Sequence, residues 1–170
     1  HVHYRSQKFI IDLSKPLDIS IPMKASINNV NAWYLKEPII EPVVIDNKTY
    51  TVADGASINF NNIKFNPHAH GTHTECVGHI TKEKYSINNH LKQFFFLAEV
   101  ITVAPENYMQ DFIISKKQLQ FALGNKKREA LIVRTIPNTR DKLSKQYSDT
   151  NWPYFDREAM TYLVKKGIKH

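Results

Sequence analysis

Half of the chain's eight histidines, a carboxylate and its single cysteine fall within one short stretch, Asn66-Pro67-His68-Ala69-His70-Gly71-Thr72-His73-Thr74-Glu75-Cys76-Val77-Gly78-His79. Imidazole nitrogen and carboxylate oxygen are the atoms that zinc, manganese and similar divalent ions accept from proteins, and three or four must converge on one point. Gly71 is expected to turn the backbone tightly, so that the histidines on either side point inward from a bend. His73 and Glu75, two apart, share one face of an extended chain, and His79 keeps that parity unless Gly78 interrupts it. A histidine-rich tract can be merely an adventitious metal binder. Clustered imidazoles repel one another once protonated, however, and gain little without a ligand to share. The spacing lacks the paired cysteines of a zinc finger and is not the helical H-E-x-x-H of metalloproteases. The residues therefore point to a non-helical His/carboxylate metal site, catalytic rather than structural.

Cys76 offers a rival chemistry, a thiol nucleophile activated by His73 or His79. Alternation turns it to the face opposite Glu75, towards the core, where a free cysteine is usually inert. The metal reading is preferred.

The elements that must position these groups divide at mid-chain. His1 to Lys8 is polar and reads as frayed or as a short edge strand. Phe9 to Leu13 and Asp18 to Ile21 read as strands, the second ended by Pro22. Ser26 to Pro42, rich in Asn and Pro, reads as a long loop, a type of segment that often carries function. Pro42 to Ile45 and Thr49 to Val52 flank a turn at Asp46-Asn47-Lys48, and Asp54-Gly55 signals another. Ser57 to Phe60 and Ile63 to Phe65 alternate around Asn61-Asn62, which places His68 at a strand end, on a rigid mount. Phe94 to Val103 reads as a buried strand or strand pair. Ser115 to Gln118 is a capping box opening a helix that stops at Gly124. Ala130 to Thr135 is a further strand. Asp156 caps a helix with Ala159, Met160, Leu163 and Val164 on one face, ending at Gly167. Strand, helix, strand order predicts βαβ units, so the fold is mixed α/β: a hairpin-rich front and a βαβ back, in one domain over 1–170.

A hydrophobic share of 42% suffices for a core. The net charge of +7 is spread over scattered lysines and short runs such as Lys126-Lys127-Arg128. No aromatic-and-basic motif accompanies them, which argues against nucleic acid as a partner. One cysteine excludes an intrachain disulfide framework and fits a reducing compartment, hence a cytoplasmic protein. No apolar run approaches the length of a membrane span.

The segment from His68 to His79 resembles the signature of the cyclase family of metal-dependent hydrolases, which includes bacterial kynurenine formamidases and isatin hydrolases. Gly71-Thr72-His73-x-Glu75 and the later His79 match it in order. Ile11-Asp12-Leu13-Ser14-Lys15-Pro16-Leu17 resembles the family's opening D-L-S-x-P strand, and Pro153 to Gly167 its later helix. The resemblance implies a swivelling β/β/α-type domain. It also implies a small-molecule amide or cyclic amide substrate, a homodimer, and one or two zinc or manganese ions held by His68 or His70 with His73 and Glu75. His79 would be the catalytic proton carrier, Thr72 would fix the turn or a ligand through its hydroxyl, and Trp33 would stack on an aromatic substrate.

Three departures qualify the match. The family's first histidine lies two before the glycine, where this chain has Ala69 between His68 and His70; His68 is preferred. Glu75 stands for a more common aspartate, and Val77 for a proline at a position expected to be buried. The histidine and glutamate that complete a two-metal centre in the family lie beyond the helix ending near Gly167. The chain is therefore expected to be part of a longer protein, and His170 not to be the missing ligand. A non-catalytic metal-binding or structural module of the same fold is the alternative.

Overall fold

The computed structural model describes residues 1–170. Its strands begin with β1 (Val2–Tyr4), β2 (Gln7–Phe9), β3 (Ile39–Pro42), β4 (Val44–Ile45), β5 (Lys48–Thr49) and β6 (Asn61–Lys64). Two one-turn helices follow, α1 (Pro67–His70) and α2 (Ile87–His90), then β7 (Ala98–Val103), β8 (Glu106–Tyr108), β9 (Asp111–Ile114) and α3 (Lys116–Leu123). The chain closes with β10 (Ala130–Thr135), β11 (Tyr154–Phe155) and α4 (Arg157–Lys166). It forms two compact units. An α/β unit comprises His1–Ile19, Glu75–Asn138 and Asn151–His170, and a hairpin unit comprises Ser20–Thr74 and Thr139–Thr150. The fold is mixed α/β, with small sheets.

In the α/β unit, β7 and β10 pair in parallel from Ala98 opposite Ala130 to Val103 opposite Thr135. The crossover between them carries the β8–β9 hairpin and α3, which is the expected strand, helix, strand unit. β9 also pairs in parallel with β11. The Leu131 amide donates to the His170 carbonyl at 2.9 Å and the Lys169 amide to that of Glu129 at 2.7 Å, so 169–170 runs beside β10. The core gathers Ile101, Val103, Ile114, Leu119, Leu123, Ala159 and Leu163. Leu119 and Leu123 are 0% and 1% exposed, each contributing about 1.5–3 kcal/mol of burial.

Both long helices have the predicted ends. The Ser115 hydroxyl accepts from the Gln118 amide while the Gln118 side chain accepts from the Ser115 amide at 3.1 Å, satisfying two otherwise orphaned donors. Asp156 accepts from the Ala159 amide at 2.5 Å, and Gly167 closes α4 at φ 83°, where a side chain would be strained. The predicted face of α4 is only half used. Ala159 and Leu163 are buried, whereas Met160 and Val164 are exposed.

Other expectations are corrected. Strand β2 ends at Phe9 and Ile10 to Leu13 is irregular, because Asp12 accepts from the Ser14 amide and hydroxyl, a side-chain turn that competes with a ladder. Asp18 to Ile21 forms no strand, and the strand predicted from Phe94 begins only at Ala98. The β8–β9 hairpin and β11 are additions.

The hairpin unit contains β4–β5, turned at Asp46 and Asn47 with φ of 50° and 61°, the left-handed pair a tight two-residue hairpin requires. Ser57 to Phe60 forms no strand, and Asn61-Asn62, expected to divide two alternating runs, lies inside β6, antiparallel to β3 with Pro42 opposite Asn61. The long loop predicted over Ser26 to Pro42 stops before Ile39, because Ile39–Pro42 forms β3 by pairing with β6. A polar network fastens it, centred on Asn29, which is 2% exposed. Its Oδ1 accepts from the Lys24 amide at 2.8 Å and its Nδ2 donates to the Val30 and His70 carbonyls at 2.6 and 3.1 Å. Gln146 donates to the Asn29 carbonyl at 2.9 Å. No helix is long and apolar enough to cross a membrane.

Candidate metal centre

The stretch rich in histidine is built on a helical turn, contrary to the non-helical expectation. Asn66 caps it by accepting the His68 amide at 2.9 Å, and Pro67 occupies a first-turn position, where its missing N–H costs nothing. An Asn-Pro start signal was therefore present in the sequence and points to helix, not strand end. Gly71, expected to bend sharply, is fully extended at φ −177°, a conformation open to any residue.

This turn separates the two candidates for the first ligand and brings His68, the preferred one, into the cluster with His73 and Glu75. His70 is 5% exposed. Its Nδ1 accepts the Asn66 amide at 2.8 Å and its Nε2 faces the Lys36 carbonyl at 2.9 Å. Because Nδ1 faces a donor and Nε2 an acceptor, the ring is the neutral Nε2–H tautomer with both nitrogens committed to main chain. His68 is exposed and turns the other way, with Nδ1 3.2 Å from Nε2 of His73 and the two rings edge to face at 4.8 Å.

Within this one segment His68, His73 and Glu75 bring one ligand atom each within 4.8 Å of one another. His73 Nδ1 lies 3.1 Å from the Gly71 carbonyl, which makes Nδ1 the protonated nitrogen and presents Nε2 as a lone pair. A carbonyl behind one imidazole nitrogen is the usual support of a metal-binding histidine. Two imidazole nitrogens facing at 3.2 Å need a proton or a cation between them. That spacing is close to the separation of about 3.3–3.4 Å between two ligands on a tetrahedral ion with bonds of about 2.0–2.1 Å. The donor set thus fits a divalent ion.

After Glu75 the chain closes a 3₁₀ turn over Val77–His79, which breaks the expected alternation but brings His79 back: its Nδ1 is 3.4 Å from Glu75 Oε1. Cys76 donates its thiol to the Tyr85 carbonyl at 3.1 Å. Gly78 is required here, since a Cβ would stand 2.2 Å from that same carbonyl oxygen. Val77 is 51% exposed rather than buried. Thr72 is exposed within the extended run. Trp33, in the hairpin unit, is 60% exposed, and both it and Tyr34 have left-handed backbone, φ 59° and 56°. Tyr34 is held by Ser148, whose hydroxyl accepts its amide at 2.9 Å, and by Asp149, which accepts its phenol at 2.5 Å; the latter pairing raises the pKa of Tyr34. Neither Asn29 nor Asn66, which support the histidine turn, was singled out by residue type.

A mixed α/β chain with two imidazoles and a carboxylate converging in one short segment defines a class of candidate metalloproteins. The family model described as "Putative cyclase" matches residues 11–170. The chain belongs to the cyclase family. No curated protein and no solved structure compared with it gives a significant match.

Proposed function

We propose that the chain is a metal-dependent hydrolase of an amide or cyclic amide, cleaving a C–N bond other than a peptide bond in the manner of an arylformamidase. The observation that carries this reading is the convergence of His68, His73 and Glu75 in a member of the cyclase family. His68 through Nδ1, His73 through Nε2 and Glu75 through its carboxylate would hold one or two zinc or manganese ions. Such an ion, when bound, supplies hydroxide at neutral pH and polarises a carbonyl.

The remaining roles belong to the chain. The Gly71 carbonyl orients His73. His79, beside Glu75, takes a proton and delivers it to the departing nitrogen, a task suited to a side chain that ordinarily titrates near neutrality. Thr72 steadies a ligand through its hydroxyl, and Trp33 stacks on an aromatic substrate. His70 serves as a brace for the turn, not as the first ligand. The reading further takes the fold as the swivelling β/β/α type in one domain, working as a cytoplasmic homodimer on small molecules without nucleic acid or membrane.

Elemental analysis of protein purified without a histidine tag tests the centre. Near-stoichiometric zinc or manganese is expected, and its loss in His73→Ala; hydrolysis of N-formyl aromatic amides or lactams should disappear with it. Stoichiometric metal without turnover of either substrate class would favour the non-catalytic module instead. Absence of metal from both proteins would end the hydrolase reading.

A further inference from the structure

The α/β unit contains a groove of about 770 Å³ to which the sequence reading assigned nothing. It lies where the β1–β2 hairpin, the segment 127–129 and the C-terminal end of α4 come together, and no residue of the histidine-rich segment lines it. Arg5, Lys127, Arg128, Lys165, Lys166 and Lys169 line it, against a single carboxylate, Glu129. Like charges gathered at a concave surface repel one another and raise the local concentration of anions.

Only part of this charge is compensated. Lys169 sits 2.5 Å from Glu129. Arg128 is 3.2 Å from Glu99, which also holds Lys126 at 2.6 Å. Lys166 donates to the Gly124 carbonyl at 2.7 Å and lies over the Tyr162 ring, both neutral partners. Arg5, placed by a left-handed hairpin residue at φ 55°, lies over the Tyr4 ring at 5.6 Å and shares only the field of Glu129. Lys127 and Lys165 have no carboxylate partner. Four cations therefore face one groove without a carboxylate of their own.

We propose that this groove binds a multivalent phosphate-bearing small molecule through a run of two or three phosphates. A single carboxylate or sulfate would leave most of the four charges unmatched, whereas a short polyphosphate spans them. The volume is that of a small-ligand site. Single-stranded nucleic acid fits less well, because it needs several aromatic faces for successive bases, whereas the groove offers only the His3 imidazole and Tyr4, which already carries Arg5.

Calorimetric titration of the full chain, stripped of metal by chelation and dialysed, with tripolyphosphate at low salt tests this. One saturable site is expected, and ATP should compete for it. Equal affinity for the two would assign recognition to the phosphate chain alone, and tighter ATP binding would add a contact to the base; both support the site. The double variant Lys127→Glu, Lys165→Glu should weaken binding at least tenfold, while the control Lys84→Glu, Lys92→Glu should change it less than twofold. His73→Ala should leave it intact, so failure of the hydrolase reading and failure of this one remain separate. Equal losses in the two double variants, equal affinity for sulfate, loss of binding in His73→Ala, or binding of an oligonucleotide that tripolyphosphate does not displace would each overturn the proposal.

Discussion

The two units bury different things. In the α/β unit the buried residues of the core cluster are all apolar, packed between β7, β9, α3 and α4. The α/β unit buries one polar side chain besides, the helix cap Ser115, whereas the hairpin unit buries only Pro38, Val43, Ala56 and Ala69 beside two polar residues, Asn29 and His70. Apolar burial is strong but has no direction, whereas a buried hydrogen bond is modest in net energy and strict in geometry. The unit that must aim His68 and His73 is thus organised by the kind of contact that fixes orientation, and the α/β unit by the kind that supplies stability.

Substitutions in the two regions should separate these roles. Leu119→Ala should have the largest effect on stability, a loss of roughly 2–5 kcal/mol from a cavity at a fully buried site. Urea unfolding measures it, and folded protein should keep its full metal complement. An equal fall in metal content would break the division of labour.

His70→Ala should cost less stability, about 1–3 kcal/mol for the loss of a buried ring and of its part-buried bonds to the Asn66 amide and the Lys36 carbonyl. Its metal affinity should nevertheless drop at least tenfold, with faster amide exchange confined to the turn around Asn66 to His70. Unchanged affinity would mean that His70 does not brace the centre. Ser115→Ala, which removes a helix cap, should cost about 1 kcal/mol and leave metal binding untouched.

The smallest effect concerns acid. The hydrogen bond from Lys126, with the nearby Arg128 charge, holds Glu99 below its ordinary 4.5 despite its partial burial. A depressed carboxyl stabilises the fold above the unfolded value, and that contribution fades as the pH falls through the folded one. Stability should therefore decline below about pH 4.5 with a slope that Glu99→Gln makes shallower, as followed by thermal melts between pH 3 and 6. Identical acid profiles for the two proteins would assign the decline to other carboxylates.

The sequence was readable where local chemistry and tertiary structure agree. Ser115 with Gln118, Asp156, Gly124 and Gly167 mark the ends of α3 and α4 because capping is a short-range matter, and β10 is legible from its apolar run. Legibility failed where distant partners decide. Asn61-Asn62 has the composition of a turn but lies in a ladder because β3 pairs with it. Phe94 to Leu97 has the composition of a strand, and no neighbouring strand takes it. At the site, residue type and spacing identified His68, His73 and Glu75 as a group, which the geometry brings together. They ranked His68 before His70 without the physical reason, which lies in the imidazole whose nitrogens are taken by the Asn66 amide and the Lys36 carbonyl. The Asn66-Pro67 signal was legible in principle and was masked by the extended segments preceding it.

The bond between His73 and the Gly71 carbonyl has a consequence for how such a centre can be altered. The group that selects the protonated nitrogen belongs to the main chain, so no side-chain replacement at residue 71 deletes it. Space is open around the Gly71 Cα, and its extended backbone suits other residues. Ligand orientation is in that respect insulated from substitution at its own support, and engineering of metal preference has its freedom at positions 68 and 75, where the donor atom itself can be exchanged.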